Sequence, residues 1–121
     1  MNRSLNPVAD VAICVVFFTR LPMVEFEAGD RKLGDAIWAA PLAGFLIAII
    51  GAFILTLASA FGVPRWPAAA LALAGTMLAT GCLHEDGLAD VADGFGGGKT
   101  PERKLEIMHD SRLGTYGAAA L

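Results

Sequence analysis

Residues 84–98 read HEDGLADVADGFGGG and gather four carboxylates, Glu85, Asp86, Asp90 and Asp93, in a stretch without Lys or Arg. On a helix, Asp86, Asp90 and Asp93 fall within an arc of about 60° while Leu88 and Val91 point the other way, so three acids share one face. Like charges at i,i+4 cost roughly 0.2–0.5 kcal/mol even on an exposed helix, and more where the local dielectric is low. A cation is expected to offset them. Oxygen-only, charged ligands suit a hard divalent ion, and Mg²⁺ binds through a few carboxylates together with substrate phosphates. Asp86, Asp90 and Asp93 are therefore candidate Mg²⁺ ligands. Zinc fits poorly, because His84 and His109 lie far apart and neither belongs to an HExxH pattern. An EF-hand is excluded by Leu88, which stands where that loop needs an oxygen ligand.

Two neighbouring features point from a metal towards phosphate. Gly94 and the triple glycine Gly96, Gly97 and Gly98 are expected to form a loop whose N–H groups approach an anion, with Lys99 adjacent. Asp110-Ser111-Arg112 brings a further acid, a hydroxyl and a guanidinium, after a short helix that can fold back on the first. GFGGGKT is not a P-loop, since that pattern needs Gly at position 93 and a preceding strand. The plainer alternative is an acidic helix end solvated at a membrane surface, and spacing alone does not exclude it.

The elements that must position these residues are apolar. Of 121 residues, 55% are hydrophobic, more than a soluble domain of this size carries. A formal charge of −3 without a basic cluster argues against nucleic-acid binding. Cys14 and Cys82 sit in apolar stretches outside any CxxC pattern and read as small hydrophobes. The run Val11–Phe18 is too short to span a bilayer and lacks a cleavage site after it, which predicts an interfacial or re-entrant helix rather than a signal peptide. Ala36 to Gly62 contains no charge and is long enough to span, with Gly44 and Gly51 offering small faces for a neighbour. Pro64 and Pro67 bracket a predicted turn around Arg65 and Trp66. A second uncharged run, Trp66 to Leu83, returns as the other arm of a hairpin.

Arg20, Arg31 and Lys32 before the hairpin and Lys99, Arg103, Lys104 and Arg112 after it, against Arg65 at the turn, place both polar stretches on the cytoplasmic side. Thr100, Pro101 and Glu102 have the pattern of an N-cap, first helical residue and first-turn acid, predicting a helix from Pro101 to about Asp110. After Gly114 and Gly117, Ala-Ala-Ala-Leu reads as the start of a further spanning helix. The expected fold is thus all-α: an integral membrane protein with two spanning helices as a hairpin, an interfacial N-terminal helix and a cytoplasmic helix-loop-helix. Residues 1–121 are expected to form a single membrane domain, the N-terminal part of a longer polytopic one.

Three strings now carry a family resemblance: FFTRLP at 17–22, HEDGLADVADGFGGG at 84–98 and ERKLEIMHDSRLGTYG at 102–117. With the hairpin between them, nearly the whole chain resembles the cobalamin synthase family, also called adenosylcobinamide-GDP ribazoletransferase. The sequence departs from it at His109, where the family pattern has Lys or Arg, and in being shorter. The resemblance implies a multi-pass enzyme of the bacterial inner membrane, with its active site facing the cytoplasm. That enzyme joins adenosylcobinamide-GDP to α-ribazole or its 5′-phosphate, giving adenosylcobalamin or its phosphate and GMP, the step that assembles the nucleotide loop. Under this reading Mg²⁺ on Asp86, Asp90 and Asp93 bridges the diphosphate. Asp110 or Glu85 accepts the proton of the attacking hydroxyl. Gly96, Gly97, Gly98, Lys99, Ser111 and Arg112 hold phosphate oxygens.

Two alternatives stay open. The spaced aspartates also resemble the motif of CDP-alcohol phosphotransferases, although Asp90 stands where that motif has Arg. A membrane component that binds metal without chemistry is the other, and it would place acids in mid-membrane. The chain is expected to be poorly active alone and to act by self-association or with further C-terminal helices. The glycine- and alanine-rich faces of the hairpin are expected to need such partners.

Overall fold

The computed structural model describes residues 6–23 and 30–121. Among them there are helices and no strands, and the chain divides into two compact units, one ending at Gly81 and one running from Cys82 to Leu121.

In the first unit, α1 (Pro7–Phe18) opens with Asn6 as N-cap, its side chain accepting from the Ala9 N–H at 3.3 Å, and with Pro7 at the first helical position. Proline fits there because its missing N–H would have no intrahelical partner. Helix α1 closes at Thr19, whose N–H and hydroxyl both donate to the Val15 carbonyl. Its inner face carries Cys14 and Val15 onto Ala36, Ala39 and Ala43. Those alanines lie along α2 (Leu33–Ala36), a 3₁₀ turn (Ile37–Ala39) and α3 (Ala40–Ala60), which run on as one helix from Leu33 to Ala60. Small side chains at the contact let the helices approach closely. The Cys14 thiol donates to the Ala36 carbonyl at 3.2 Å.

At 28 residues, Leu33–Ala60 is about 42 Å long at 1.5 Å per residue and is apolar enough to cross a membrane. Large side chains on the side away from the next helix are exposed, among them Phe45, Ile49 and Phe53. A turn at Gly62, where φ is +79°, leads to α4 (Arg65–Thr80). Arg65 and Trp66 thus begin the helix, and the turn lies earlier than the prolines suggested. A Cβ on Gly51 would come 2.9 Å from Thr76 Cγ2, so this glycine is where α3 meets α4, whereas Gly44 faces open space.

The second apolar run stops short of Leu83. Gly81 and Cys82 both take left-handed backbone, φ +67° and +60°, which ends α4 at 16 residues, about 24 Å. By length and composition α4 qualifies as a span only together with the next helix. The Arg20 N–H donates to the Ala79 carbonyl at 2.7 Å, tying the 17–22 segment to the end of α4.

In the second unit, α5 (Leu83–Gly97) is flanked by α6 (Pro101–Met108) and α7 (Thr115–Ala120). Helix α6 starts as its residues predict: Thr100 accepts from the Arg103 N–H at 3.3 Å and Pro101 follows. The predicted glycine loop is instead the last turn of α5. Added Cβ atoms would lie 2.6 Å from Met108 Cε at Gly94 and on the Tyr116 ring at Gly96. Glycine here serves close packing of α6 and α7 on α5, and that packing offsets its low helix propensity.

Candidate functional site

Helix α5 carries Asp86 and Asp90 one turn apart, both lining a cleft of about 250 Å³. The opposite wall is the link between α6 and α7, which contributes Asp110, Ser111 and Arg112. Helix α6 is held on α5 by Met108 and Lys104 against the glycine face, and Lys104 Nζ sits 4.1 Å from the centre of the Phe95 ring. The link turns at once, because the Asp110 side chain accepts from the Arg112 N–H at 3.1 Å, a turn that Asp forms readily.

The same carboxylate takes the Arg112 fork, Nη2 at 2.5 Å from Oδ2 and Nε at 3.0 Å from Oδ1. Hydrogen bonding from the Arg112 side chain, then from its backbone N–H, holds the Asp110 carboxyl down at about 2 and raises the guanidinium's own pKa. Asp110 is therefore anionic and paired at neutral pH. Asp110 and Arg112 also line a second cleft of about 460 Å³, with Asp93, Gly97 and Tyr116 on its walls.

Asp93 is engaged differently from the other two acids of its face. It is buried, 8% exposed, and its oxygens accept from the N–H groups of Gly114 at 2.7 Å and Gly117 at 2.8 Å. The glycine stretch presents no anion cradle: the N–H groups of Gly96 and Gly97 lie in the helix ladder, and the Gly98 N–H donates to Gly94 O at 3.0 Å. Lys99 is exposed, and neither it nor Gly96 nor Gly98 lines either cleft. Glu85 lines neither, although its Oε2 is buried without a hydrogen-bond partner among the described residues. The structure thus brings together Asp86, Asp90, Asp110, Ser111 and Arg112.

Residues 10–121 match the family described as cobalamin-5-phosphate synthase, CobS. The chain belongs to this cobalamin-5-phosphate synthase family. It is 59% identical to the adenosylcobinamide-GDP ribazoletransferase of Mesorhizobium japonicum, with 99% of the chain and 48% of the relative covered. It is 53% identical to that of Bradyrhizobium diazoefficiens, with 96% and 45% covered, and 50% identical to that of Azorhizobium caulinodans, with 98% and 47% covered. The chain spans about half the length of the curated relatives it matches. No solved structure matches it significantly.

In this cobalamin-5-phosphate synthase segment, no group of three or more His, Cys, Asp or Glu side chains converges on one point among the described residues. Two carboxylates, Asp86 and Asp90, do share one cleft wall. That donor set fits Mg²⁺, which is commonly held by one or two carboxylates and completes its octahedron with water and substrate phosphate. It does not fit a caged structural metal. Inspection of the sequence missed a buried cluster in the first unit: Asp10, fully buried, is held by Arg31 Nε and Nη2 at 2.7 and 2.8 Å and by Trp38 Nε1 at 3.0 Å. The signal was a lone acid beside an apolar run, which requires a partner.

Proposed function

We propose that the protein containing this chain transfers a phosphoryl-linked group from adenosylcobinamide-GDP to α-ribazole or its 5′-phosphate, releasing GMP. The cleft that faces Asp86 and Asp90 with Asp110, Ser111 and Arg112 carries this reading. The attacking ribazole hydroxyl forms a new P–O bond to the cobinamide-side phosphorus, the diphosphate P–O bond breaks, and GMP leaves. Bound Mg²⁺ would supply charge neutralisation at the diphosphate, with Asp86 and Asp90 as its protein ligands.

Arg112 presents a planar fork suited to phosphate oxygens, and Ser111 offers a hydroxyl donor beside it. A phosphate that draws the Arg112 guanidinium away removes the largest of the influences that hold Asp110 low. Asp110 then becomes the stronger base that the departing hydroxyl proton requires. Glu85 lines neither cleft, which favours Asp110 over it for that role.

We place the protein in the bacterial inner membrane, with these residues on the cytoplasmic side. Helix Leu33–Ala60 supports a bilayer environment: only 11% of its apolar window is buried inside the chain, unlike the core helix of a soluble protein. Packing of α4 on α3 at Gly51 supports a hairpin whose second arm is short.

The test is Mg²⁺-dependent GMP release from adenosylcobinamide-GDP with α-ribazole. It is measured on this chain and on a chimera in which the chain replaces the matching part of the Mesorhizobium japonicum relative. Corrinoid-dependent release by the chimera is expected. A chimera that inserts in the membrane but releases no GMP, or that releases CMP from a CDP-alcohol instead, overturns the proposal.

A further inference from the structure

We infer that Asp93 is a positioning residue, a helix cap supplied from a neighbouring helix, and that it sets the site by fixing α7 and does not ligate the metal. Helix α7 begins at Thr115 with Gly114 as its N-cap residue, and glycine has no side chain with which to cap. A capping box satisfies two donors at a helix start, the N–H of the N-cap residue and that of the third helical residue. Here those donors belong to Gly114 and Gly117. One carboxylate reaches both: Asp93 Oδ2 accepts from Gly114 at 2.7 Å and Oδ1 from Gly117 at 2.8 Å.

The glycines are part of the device. A Cβ at Gly114 or at Gly117 would fall on the Asp93 carboxylate, and at Gly117 it would also lie 3.0 Å from the Ala89 carbonyl. Asp93 is 8% exposed, and both of its oxygens face backbone N–H groups. It is absent from the walls of the cleft that Asp86 and Asp90 share.

The consequence for the site is geometric. The link 109–114 that bears Asp110, Ser111 and Arg112 is anchored at one end by α6 on α5 and at the other by Asp93. Loss of the clamp frees that second end and lets Arg112 drift from its place opposite Asp86 and Asp90. This effect on catalysis rests on the phosphoryl-transfer reading, whereas the clamp itself does not.

The experiment uses the 121-residue chain in detergent, with hydrogen exchange read at Gly114 and Gly117 and Mn²⁺ bound as a spectroscopic probe in place of Mg²⁺. Asp93→Ala should speed exchange at both amides about tenfold, the scale of a lost cap. Gly114→Ser alone should speed it too, because its side chain meets Asp93. Combined, Asp93→Ala and Gly114→Ser should restore protection at Gly117: the added hydroxyl occupies the vacated space and caps α7 locally from the extended backbone at position 114, φ −91° and ψ 179°. Mn²⁺ affinity should stay within about threefold of wild type in the double variant and fall at least tenfold in Asp86→Asn.

Unchanged exchange in Asp93→Ala, or failure of the double variant to regain protection, overturns the clamp. Loss of Mn²⁺ binding in the double variant despite regained protection makes Asp93 a ligand and overturns the assignment. If wild type binds no Mn²⁺, the metal-dependent reading fails, while the exchange results still decide the clamp.

Discussion

Arg31→Met tests whether the buried ion pair of the first unit holds α1 in place. Asp10 is fully buried and Arg31 is 18% exposed, with nitrogen to oxygen distances of 2.6–2.8 Å. Methionine keeps most of the aliphatic stem and removes the charge, which leaves Trp38 Nε1 as the donor to Asp10 among the described residues. Two charge-assisted hydrogen bonds are lost, each worth about 1.5–3 kcal/mol, and breaking a buried pair by removing one partner costs roughly 3–5 kcal/mol. Partial exposure of Arg31 puts the expected cost at the lower end, about 3 kcal/mol. At 1.4 kcal/mol per decade, hydrogen exchange across residues 7–18 should quicken by about two orders of magnitude. Arg31→Met combined with Asp10→Leu should recover most of the protection, since no buried charge then remains unpaired. Exchange in the single variant within about threefold of wild type, or a double variant as fast as the single, would refute the reasoning.

Asp86→Asn and Asp90→Asn should each lower Mg²⁺-dependent turnover by several orders of magnitude while leaving membrane insertion intact, and near-normal rates at saturating Mg²⁺ would remove both from the site. The Asp110 carboxyl titrates in the fold below its usual 3.8, at about 2, so the pair with Arg112 is fully present above 3.8 and is lost as pH falls towards 2. Arg112→Gln should raise the midpoint of the Asp110 carboxyl from about 2 towards 3.8, with the backbone N–H at position 112 still holding it somewhat low, and an unchanged midpoint would deny the pairing. Gly96→Ala should displace the Tyr116 ring and quicken exchange in α7; no change in either would contradict close packing as the reason for that glycine. Single cysteines at positions 65 and 99 should label from opposite sides of the membrane, and labelling from one side would end the hairpin.

Local chemistry was legible in the sequence and contacts between distant backbone groups were not. Thr100, Pro101 and Glu102 announce the start of α6 because a cap is made within three residues. Asp86 and Asp90 could be placed on one face because helical period alone puts them there. The same period made Asp93 their equal, yet its partners are two N–H groups 21 and 24 residues away, and a backbone donor leaves no trace in residue type. Arg31 counts by its type among the basic residues that set orientation, and its pairing with Asp10, 21 residues away, leaves no mark in the sequence. The loop expected at 94–98 gives way to helix for a related reason. Glycine that frees a loop and glycine that admits a neighbouring helix are the same letter, and only the positions of Met108 and Tyr116 tell them apart.

The end of α4 shows the converse: hydropathy ran on to Leu83, while the left-handed backbone of Gly81 and Cys82 stopped the helix after Thr80. Asp93 and Arg31 share a feature that residue type does not show: the fold engages each with an internal partner, two backbone N–H groups for the aspartate and Asp10 for the arginine. For the site, this leaves Asp86 and Asp90 as the acids of that α5 face that line the shared cleft, so ligand assignments rest more safely on them than on the acidity of the whole stretch.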